Sequence, residues 1–328
     1  MTFKIGIIGA GAVGCFVGGY LLKSNPDVFF LGRARLGEKI KASGLTVTSL
    51  ENHSIHHEAK KINWVESPAE LPVLDLVIIT TKSHDTLSAI NEIKSKITKE
   101  TVILSLQNGL SNAKVLKAAL PANKIVSGMV LCNIIQIDKG SHFKQTSSGH
   151  VYLSENVAGI EGLQAEVVEN ILEIQYGKLI KNLNNAINAL SNVPLIEQLR
   201  NKKERQLLSK VIKEALFVLD KNSIKIKNSS PLPIGAFPFI LNLPDAIYNI
   251  VAKAELKIDP QARLSMWQDL ELKRKTEIEF LNGEITTLAK SSGISAYWNE
   301  KIVNLIKLAE SGQLELARSK YQDLLNDN

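Results

Sequence analysis

The chain has 328 residues, 45% hydrophobic and 22% charged, with 39 Lys and Arg against 33 Asp and Glu for a formal net charge of +6. That length accommodates two domains with substantial cores, and the composition excludes a disordered or fibrous chain. The mild positive balance suits anionic small molecules. No basic stripe is interleaved with aromatics, which argues against nucleic acid, and the densest basic segment, Lys202-Lys203-Glu204-Arg205, reads as a solvated helix face. The two cysteines, Cys15 and Cys132, show neither a disulfide framework nor metal-ligand spacing. They are expected to be small buried residues of a protein in a reducing cytosol.

Ile5 to Leu22 carries no charge, yet its six glycines fit a strand, a glycine turn and a buried helix better than a signal peptide or membrane span. In chain order, strands are expected at Lys4–Ile8, Asp27–Leu31, Leu74–Thr80, Thr101–Leu106 and Lys124–Leu131, with Val151–Ser154 the last strand of this domain. LDLVIIT and TVILSL are apolar, β-branched runs of the kind buried on both faces of a parallel sheet. Helical patterns lie between them, at Gly14–Leu22, Thr86–Ile97 and Ala113–Ala119. After about residue 165 helical periodicity dominates, at Tyr176–Asn192, Lys203–Asn222, Leu243–Lys257, Arg263–Ser291 and Asn299–Leu325. Four prolines make Asn228–Pro244 an irregular crossing. The expected fold class is α/β: a Rossmann-like, doubly wound sheet over residues 1–165, then an all-α domain over residues 166–328.

Gly9-Ala10-Gly11-Ala12-Val13-Gly14 is a GxGxxG between a strand and a helix. There the first glycine makes a tight turn, the second admits a pyrophosphate, the third lets helix and strand pack closely, and the helix N-terminus faces the negative charge. A purely structural glycine turn is the alternative. About twenty residues on, where an NAD site carries an acid, the chain has Leu31-Gly32-Arg33-Ala34-Arg35. A guanidinium can grip a 2′-phosphate bidentately, which points to NADP(H) unless these are surface arginines. Lys82 and Asn108 follow apolar strands, at the ends where such sheets bind ligands. Solvation or an Asn-Gly turn would also account for them. His84 has no evident partner, and His53, His56 and His57 read as solvated loop residues.

The segment Tyr176–Asn192 holds five asparagines, although asparagine is a poor helix former. On a helical wheel Leu179, Leu183, Ala186, Ile187 and Leu190 share the core face. Lys178, Asn182, Asn185 and Asn192 form an adjacent stripe about 80° wide. A solvated face would favour Glu, Lys, Gln and Arg, so short amides beside a lysine point to a small polar ligand.

Over nearly its whole length the sequence resembles the ketopantoate reductases. The resemblance rests on GAGAVG and the LGR turn, Thr81-Lys82, Gln107-Asn108-Gly109-Leu110, Gly177-Lys178-Leu179-x-x-Asn182, Ser265-Met266-x-x-Asp269, Thr276-Glu277-Ile278-Glu279 and Asn282-Gly283. It implies reduction of 2-dehydropantoate with NADPH. Lys178 would be the general acid and Asn182 a substrate ligand. Ser265 would bind the substrate's polar end, Glu277 would lie near Lys178 and the cofactor, and Asn108 and Lys82 would line the cofactor and substrate cleft between domains. Where the family often has asparagine, eight residues after the lysine, this chain has Ala186. Asn185 is taken as the amide that contacts substrate, with Asn188 the alternative. The stretch from Ser154 to Lys178 is short by about a helix, and Ile294–Asn299 lacks prolines usual in relatives. Ser265 and Glu277 would lie about 120° apart on one straight helix, so a break near Lys273–Lys275 is expected.

The residue types agree with the chemistry. Hydride addition to a 2-oxo acid builds negative charge on the carbonyl oxygen, which an ammonium can stabilise and protonate. The expected partner is thus a small 2-oxo acid, with neither nucleic acid, membrane nor metal, and homodimerisation is a further expectation. Another branched 2-oxo acid is the nearest competing substrate. A sensor reading the NADP(H) ratio would need Arg33 and the glycine turn, but not Lys178, Asn182, Ser265 and Glu277 together.

Overall fold

The computed structural model describes residues 3–227, 232–252 and 260–326. It divides into two compact units, Met1–Gln175 and Tyr176–Asn328.

The first unit carries twelve strands: β1 Ile5–Ile8, β2 Val28–Leu31, β3 Leu45–Thr48, β4 Ser54–His57, β5 Asn63–Val65, β6 Leu74–Ile79, β7 Ile97–Ser105, β8 Ile125–Val130, β9 Ile134–Ile137, β10 His142–Gln145, β11 Val151–Leu153 and β12 Ala165–Val167. Eight form one sheet in the order β12-β11-β8-β7-β6-β1-β2-β5. From β5 to β8 the pairings are parallel, and β11 joins β8 antiparallel. The chain steps from β1 outward to β2 and β5, then returns to β6 on the other side of β1. That reversal of strand order opens a crevice beyond the C-terminal ends of β1 and β6.

Apolar layers cover both faces of this sheet. Ile5, Ile7, Val28, Phe30, Leu76 and Ile78 join the core that includes helix Ala12–Leu21. Ile8, Val77, Ile79 and Ile103 join the core that includes Ile90 and Leu116. Two of the N-terminal glycines admit neighbours to helix Ala12–Leu21: a Cβ at Gly18 would strike the Phe30 ring, and one at Gly19 would lie 2.5 Å from Val47 Cγ1. Val47 belongs to a second sheet, ordered β4-β3-β10-β9, that packs on this helix.

That second sheet was not expected from the sequence. Its strands are four residues long, and β4, β9 and β10 are largely half-exposed, so their periodicity is weak. It corrects the placement of His56 and His57, which are strand residues. His56 Nδ1 lies 2.9 Å from Thr46 Oγ1, and His57 Nε2 donates to Gly19 O at 2.7 Å. Burial lowers the His57 pKa. Other departures are local. The helix expected over Thr86–Ile97 ends at Glu92, and β7 starts at Ile97. Helix Ala34–Ser43 was not anticipated. Val151–Leu153 is followed by one further strand, β12.

The second unit is helical. The segment expected as one helix over Tyr176–Asn192 forms Ile171–Asn182 and Asn184–Ser191, interrupted at Leu183, whose backbone stays right-handed helical (φ −58°, ψ −25°). The stretch Arg263–Ser291 divides into Ser265–Glu271, a 3-10 turn at Ile278–Phe280 and Asn282–Ser291. The break falls where it was expected, with Lys273 at φ +52°. Asn299–Leu325 is likewise two helices, Tyr297–Glu310 and Leu314–Asn326, separated at Gly312 (φ +89°). Of the helix expected at Leu243–Lys257, Asp245–Val251 is present, and 253–257 lie outside the described residues. Of the proline-rich crossing, 228–231 lie outside them too, and the rest holds a 3-10 turn and helix Phe237–Leu241.

The supposed solvated face at Lys202–Arg205 is half wrong. Glu204 and Arg205 are 4% and 1% exposed. Arg205 donates to the carbonyls of Leu199, Arg200, Leu241 and Leu243, pairs with Asp245 at 2.6 Å, and stacks 4.1 Å over the Tyr248 ring. A buried guanidinium needs its donors satisfied, and this one pins the Leu241–Tyr248 segment to helix Lys202–Lys221. Glu204 accepts from Tyr321 on helix Leu314–Asn326, and burial raises its carboxyl to about 7.

Candidate active site

In the first unit every expected site residue lies past the C-terminal end of a strand of the large sheet. Gly9–Gly14 follows β1, Arg33 follows β2, Lys82 follows β6 and Asn108 follows β7. The glycine turn is tied down from behind. Gly9 and Ala10 donate to Leu31 O at 3.2 and 3.0 Å, and Thr80 Oγ1 donates to Ile8 O and Gly9 O.

The three glycines differ in what they permit. Gly9 has φ +92°, and a Cβ there would lie 2.7 Å from Thr81 N. A Cβ on Gly14 would sit 2.9 Å from Gly9 O. At Gly11 the nearest atom would be 3.9 Å away, so nothing in this unit requires a glycine there. Gly11 is also the N-cap of helix Ala12–Leu21, whose first turn has no acidic residue and no side-chain cap. Bare backbone, helix N–H groups and no competing anion fit a pyrophosphate.

Ala12 and Val13 open that helix half-shielded, and Cys15 lies behind the turn, fully buried, with Sγ 3.6 Å from Ala10 O. Burial pushes the Cys15 thiol well up, so it stays protonated and inert. Cys132 is also buried and is not part of a disulfide.

Arg33 is exposed and is the N-cap of helix Ala34–Ser43, which has no acid in its first turn. That suits a 2′-phosphate. Lys82 and Asn108 are half-buried, and a polar network connects their loops. Asn108 O accepts from Ser83 Oγ and Asn112 Nδ2, both at 2.6 Å. Thr86 Oγ1 donates to Asn112 Oδ1, and Gln107 Nε2 donates to Thr81 and Thr86. Sequence reasoning missed Ser83, Thr86 and Asn112. Isolated polar residues at helix starts carry no spacing signal, and only the folded loops show them converging.

In the second unit the five asparagines of 176–192 separate into two groups. Asn184 and Asn188 are buried structural residues. Asn184 Oδ1 accepts from Gln198 at 2.6 Å, and Asn188 donates to Val193 O and Gln198 Oε1 while accepting from Leu264 N. Asn192 caps its helix in the left-handed conformation (φ 58°) and accepts from Trp267 Nε1 at 2.8 Å. Asn182 and Asn185 are half-buried, and their side chains make no hydrogen bond to another described residue. The side chain of Asn188, the alternative to Asn185, is thus engaged within the core.

Lys178 is half-buried on helix Ile171–Asn182, after Gly177, where a Cβ would lie 2.6 Å from Lys227 O. Two residues before it, burial and then the Glu284 carboxylate raise the Tyr176 pKa, so helix Asn282–Ser291 lies beside this turn. Ser265 is exposed and opens helix Ser265–Glu271, which packs on Asn184–Ser191 and is tethered there by Asn188 and Asn192. Glu277 is half-buried and immediately precedes the 3-10 turn, on the far side of the break from Ser265. Among the described residues no group of three or more His, Cys, Asp or Glu could hold a metal, and no helix is long and apolar enough to cross a membrane.

Comparison with known proteins bears on the same arrangement. Residues 5–157 match the family profile "Ketopantoate reductase PanE/ApbA" and residues 170–310 match "Ketopantoate reductase PanE/ApbA C terminal". A 2-dehydropantoate 2-reductase of Pyrococcus horikoshii is 30% identical, the alignment covering 94% of this chain and 98% of the relative; one from Archaeoglobus fulgidus is 27% identical over the same shares. Among solved structures, a PanE/ApbA family ketopantoate reductase from Ralstonia eutropha JMP134 superposes with a TM-score of 0.77 at 26% identity, covering 95% of this chain and 99% of that one. D-mandelate dehydrogenase, solved with NADH and anilino(oxo)acetate, shares the fold with a TM-score of 0.75 at 22% identity, over 95% and 99% of the two chains. With both profiles matched in order across both units, the chain belongs to the ketopantoate reductase family.

Proposed function

We propose that the protein reduces 2-dehydropantoate to (R)-pantoate with NADPH, on the route to pantothenate. The observation that carries the reading is the pair Asn182 and Asn185, half-buried amides with no described hydrogen-bond partner, following Lys178 along one polar stripe. A helix carries two poor formers there at a cost of several tenths of a kcal/mol each, about 0.5. Ligand hydrogen bonds offset that cost.

When bound, NADPH would supply a hydride to the ketone carbon. Gly9–Gly14 would receive its pyrophosphate through backbone N–H groups and the helix N-terminus, and Arg33 would hold the 2′-phosphate. Lys82 and Asn108 line the cofactor and substrate. Lys178 donates a proton to the carbonyl oxygen as negative charge builds there, so the ketone becomes a secondary alcohol. Asn182 and Asn185 orient the substrate, Ser265 binds its polar end, and Glu277 adjusts the charge around Lys178. Cys15 and Cys132, buried and not joined in a disulfide, accord with a reducing cytosol, and we expect a homodimer.

One observation favours a second substrate. Ala186, standing where relatives often carry asparagine, is fully buried and offers no donor. A different branched 2-oxo acid would then be preferred by the same chemistry. Purified protein mixed with NADPH and 2-dehydropantoate should lose reduced-nicotinamide absorbance, and Lys178→Ala should abolish that loss. Cofactor binding without oxidation of NADPH by this acid, but with turnover of a related 2-oxo acid, would establish the second reading.

A further inference from the structure

The turn that carries Arg33 rests on an indole. Trp64 on β5 pairs with Phe30 on β2, and their rings stack 6.3 Å apart at 12°. The indole then runs beneath the segment 31–37. A Cβ at Gly32 would come 2.5 Å from Trp64 Cη2, and one at Gly37 would come 2.7 Å from Trp64 Cδ1. Gly32 and Gly37 flank Arg33 and Arg35, so the ring fills the space beneath both ends of the basic turn. The backbone is fastened to the same strand, with Gly32 N donating to Val65 O at 3.1 Å. The Gly32 site also adjoins Ala10 of the glycine turn, 3.0 Å from its Cβ. The indole N–H is buried and has no hydrogen-bond partner among the described residues. Buried tryptophan usually satisfies that donor, so the position selects the ring's shape and area in spite of it.

We propose that Trp64 is a positioning residue for cofactor discrimination. It acts through Arg33 by fixing the height and tilt of the turn relative to the glycine turn, and so sets the preference for a 2′-phosphorylated dinucleotide. This rests on the role of Arg33 given above. A bidentate grip on phosphate tolerates little displacement of the guanidinium. A smaller side chain at 64 lets the turn sink toward the sheet, while the pyrophosphate site, fastened to Leu31 O and Thr80, keeps its own supports.

The test is a double-mutant cycle on the full chain, measuring Kd for NADPH and for NADH with wild type, Trp64→Leu, Arg33→Ala and the double variant. Trp64→Leu should weaken NADPH about tenfold and NADH less than about twofold, and in the Arg33→Ala background it should cost NADPH little further. Trp64→Phe, which keeps a ring beneath Gly32, should restore most of the preference and guards against a Leu variant that fails to fold. Equal weakening of both cofactors by Trp64→Leu and Trp64→Phe, in either background, would overturn the inference and leave the Arg33 role standing. An Arg33→Ala variant with undiminished NADPH preference would overturn the Arg33 role and this inference together.

Discussion

The glycine-rich turn of the first unit and the asparagine-rich helices of the second pose the same problem. Each holds residues that look costly for the local structure, and in each most of the excess is explained by packing. Gly9 and Gly14 are required by neighbouring backbone, and Gly18 and Gly19 by the Phe30 ring and Val47. Asn184, Asn188 and Asn192 are required by Gln198, Val193, Leu264 and Trp267. What packing does not account for is Gly11 in one unit and Asn182 and Asn185 in the other. A residue that the fold leaves unexplained is a stronger indicator of a ligand than a residue that is merely unusual.

The comparison can be broken experimentally, and the largest effect is expected next to the asparagines. Lys178→Ala should lower kcat by about 10²–10⁴-fold while NADPH Kd changes little; retained turnover would remove the general acid. Between the glycines, Gly11→Ala should weaken NADPH by about tenfold or more and leave the melting temperature of the free protein unchanged. Gly18→Ala should do the reverse. Alanine gains about 1 kcal/mol in helix propensity, but overpacking against Phe30 costs about 1–3 kcal/mol and should prevail. A Gly11→Ala protein that binds NADPH normally would end its assignment to the pyrophosphate.

The asparagines separate in the same way. Asn188→Ala strands the Leu264 N–H and the Gln198 amide, so thermal melting should report a loss of about 2 kcal/mol or more. Asn185→Ala should raise KM and leave Tm within about 1 °C; an equal Tm loss in both would erase the distinction. A separate effect, on the pH dependence of stability, concerns the buried carboxyl of Glu204. It ionises at about 7 when folded against an ordinary value of 4.5, so the folded state holds the extra proton between those values. Its contribution to stability is therefore complete below about pH 4.5 and declines as pH rises through 7, by about 3 kcal/mol in all. Glu204→Gln should flatten the fall in Tm between pH 5 and 8, and an unchanged slope would assign the pH dependence to other groups.

Much of the proposed site is a reading of the residues themselves. The spacing GAGAVG after a buried strand, the arginine in place of an acid after β2, and the lysine with short amides at helical intervals are each local patterns with a direct chemical meaning. The same local reading failed where a side chain's role depends on a distant partner. Arg205 looked solvated because its neighbours are charged, but its partners lie 36 to 40 residues away at Leu241, Leu243 and Asp245. His57 looked like a loop residue because its strand is short and pairs with β3 in a sheet whose other strands come from 134–145.

The sequence by itself determined the class of fold, and it carries the glycine turn and the residues proposed to do the chemistry. Backbone period, glycine sterics and charge act over a few residues and leave their trace in order. Tertiary structure alone decided which asparagines are consumed by packing, which charges are buried, and that an indole lies under the arginine turn. Those outcomes depend on contacts between segments far apart in the chain, where burial and hydrogen-bond satisfaction, and not local propensity, set the free energy.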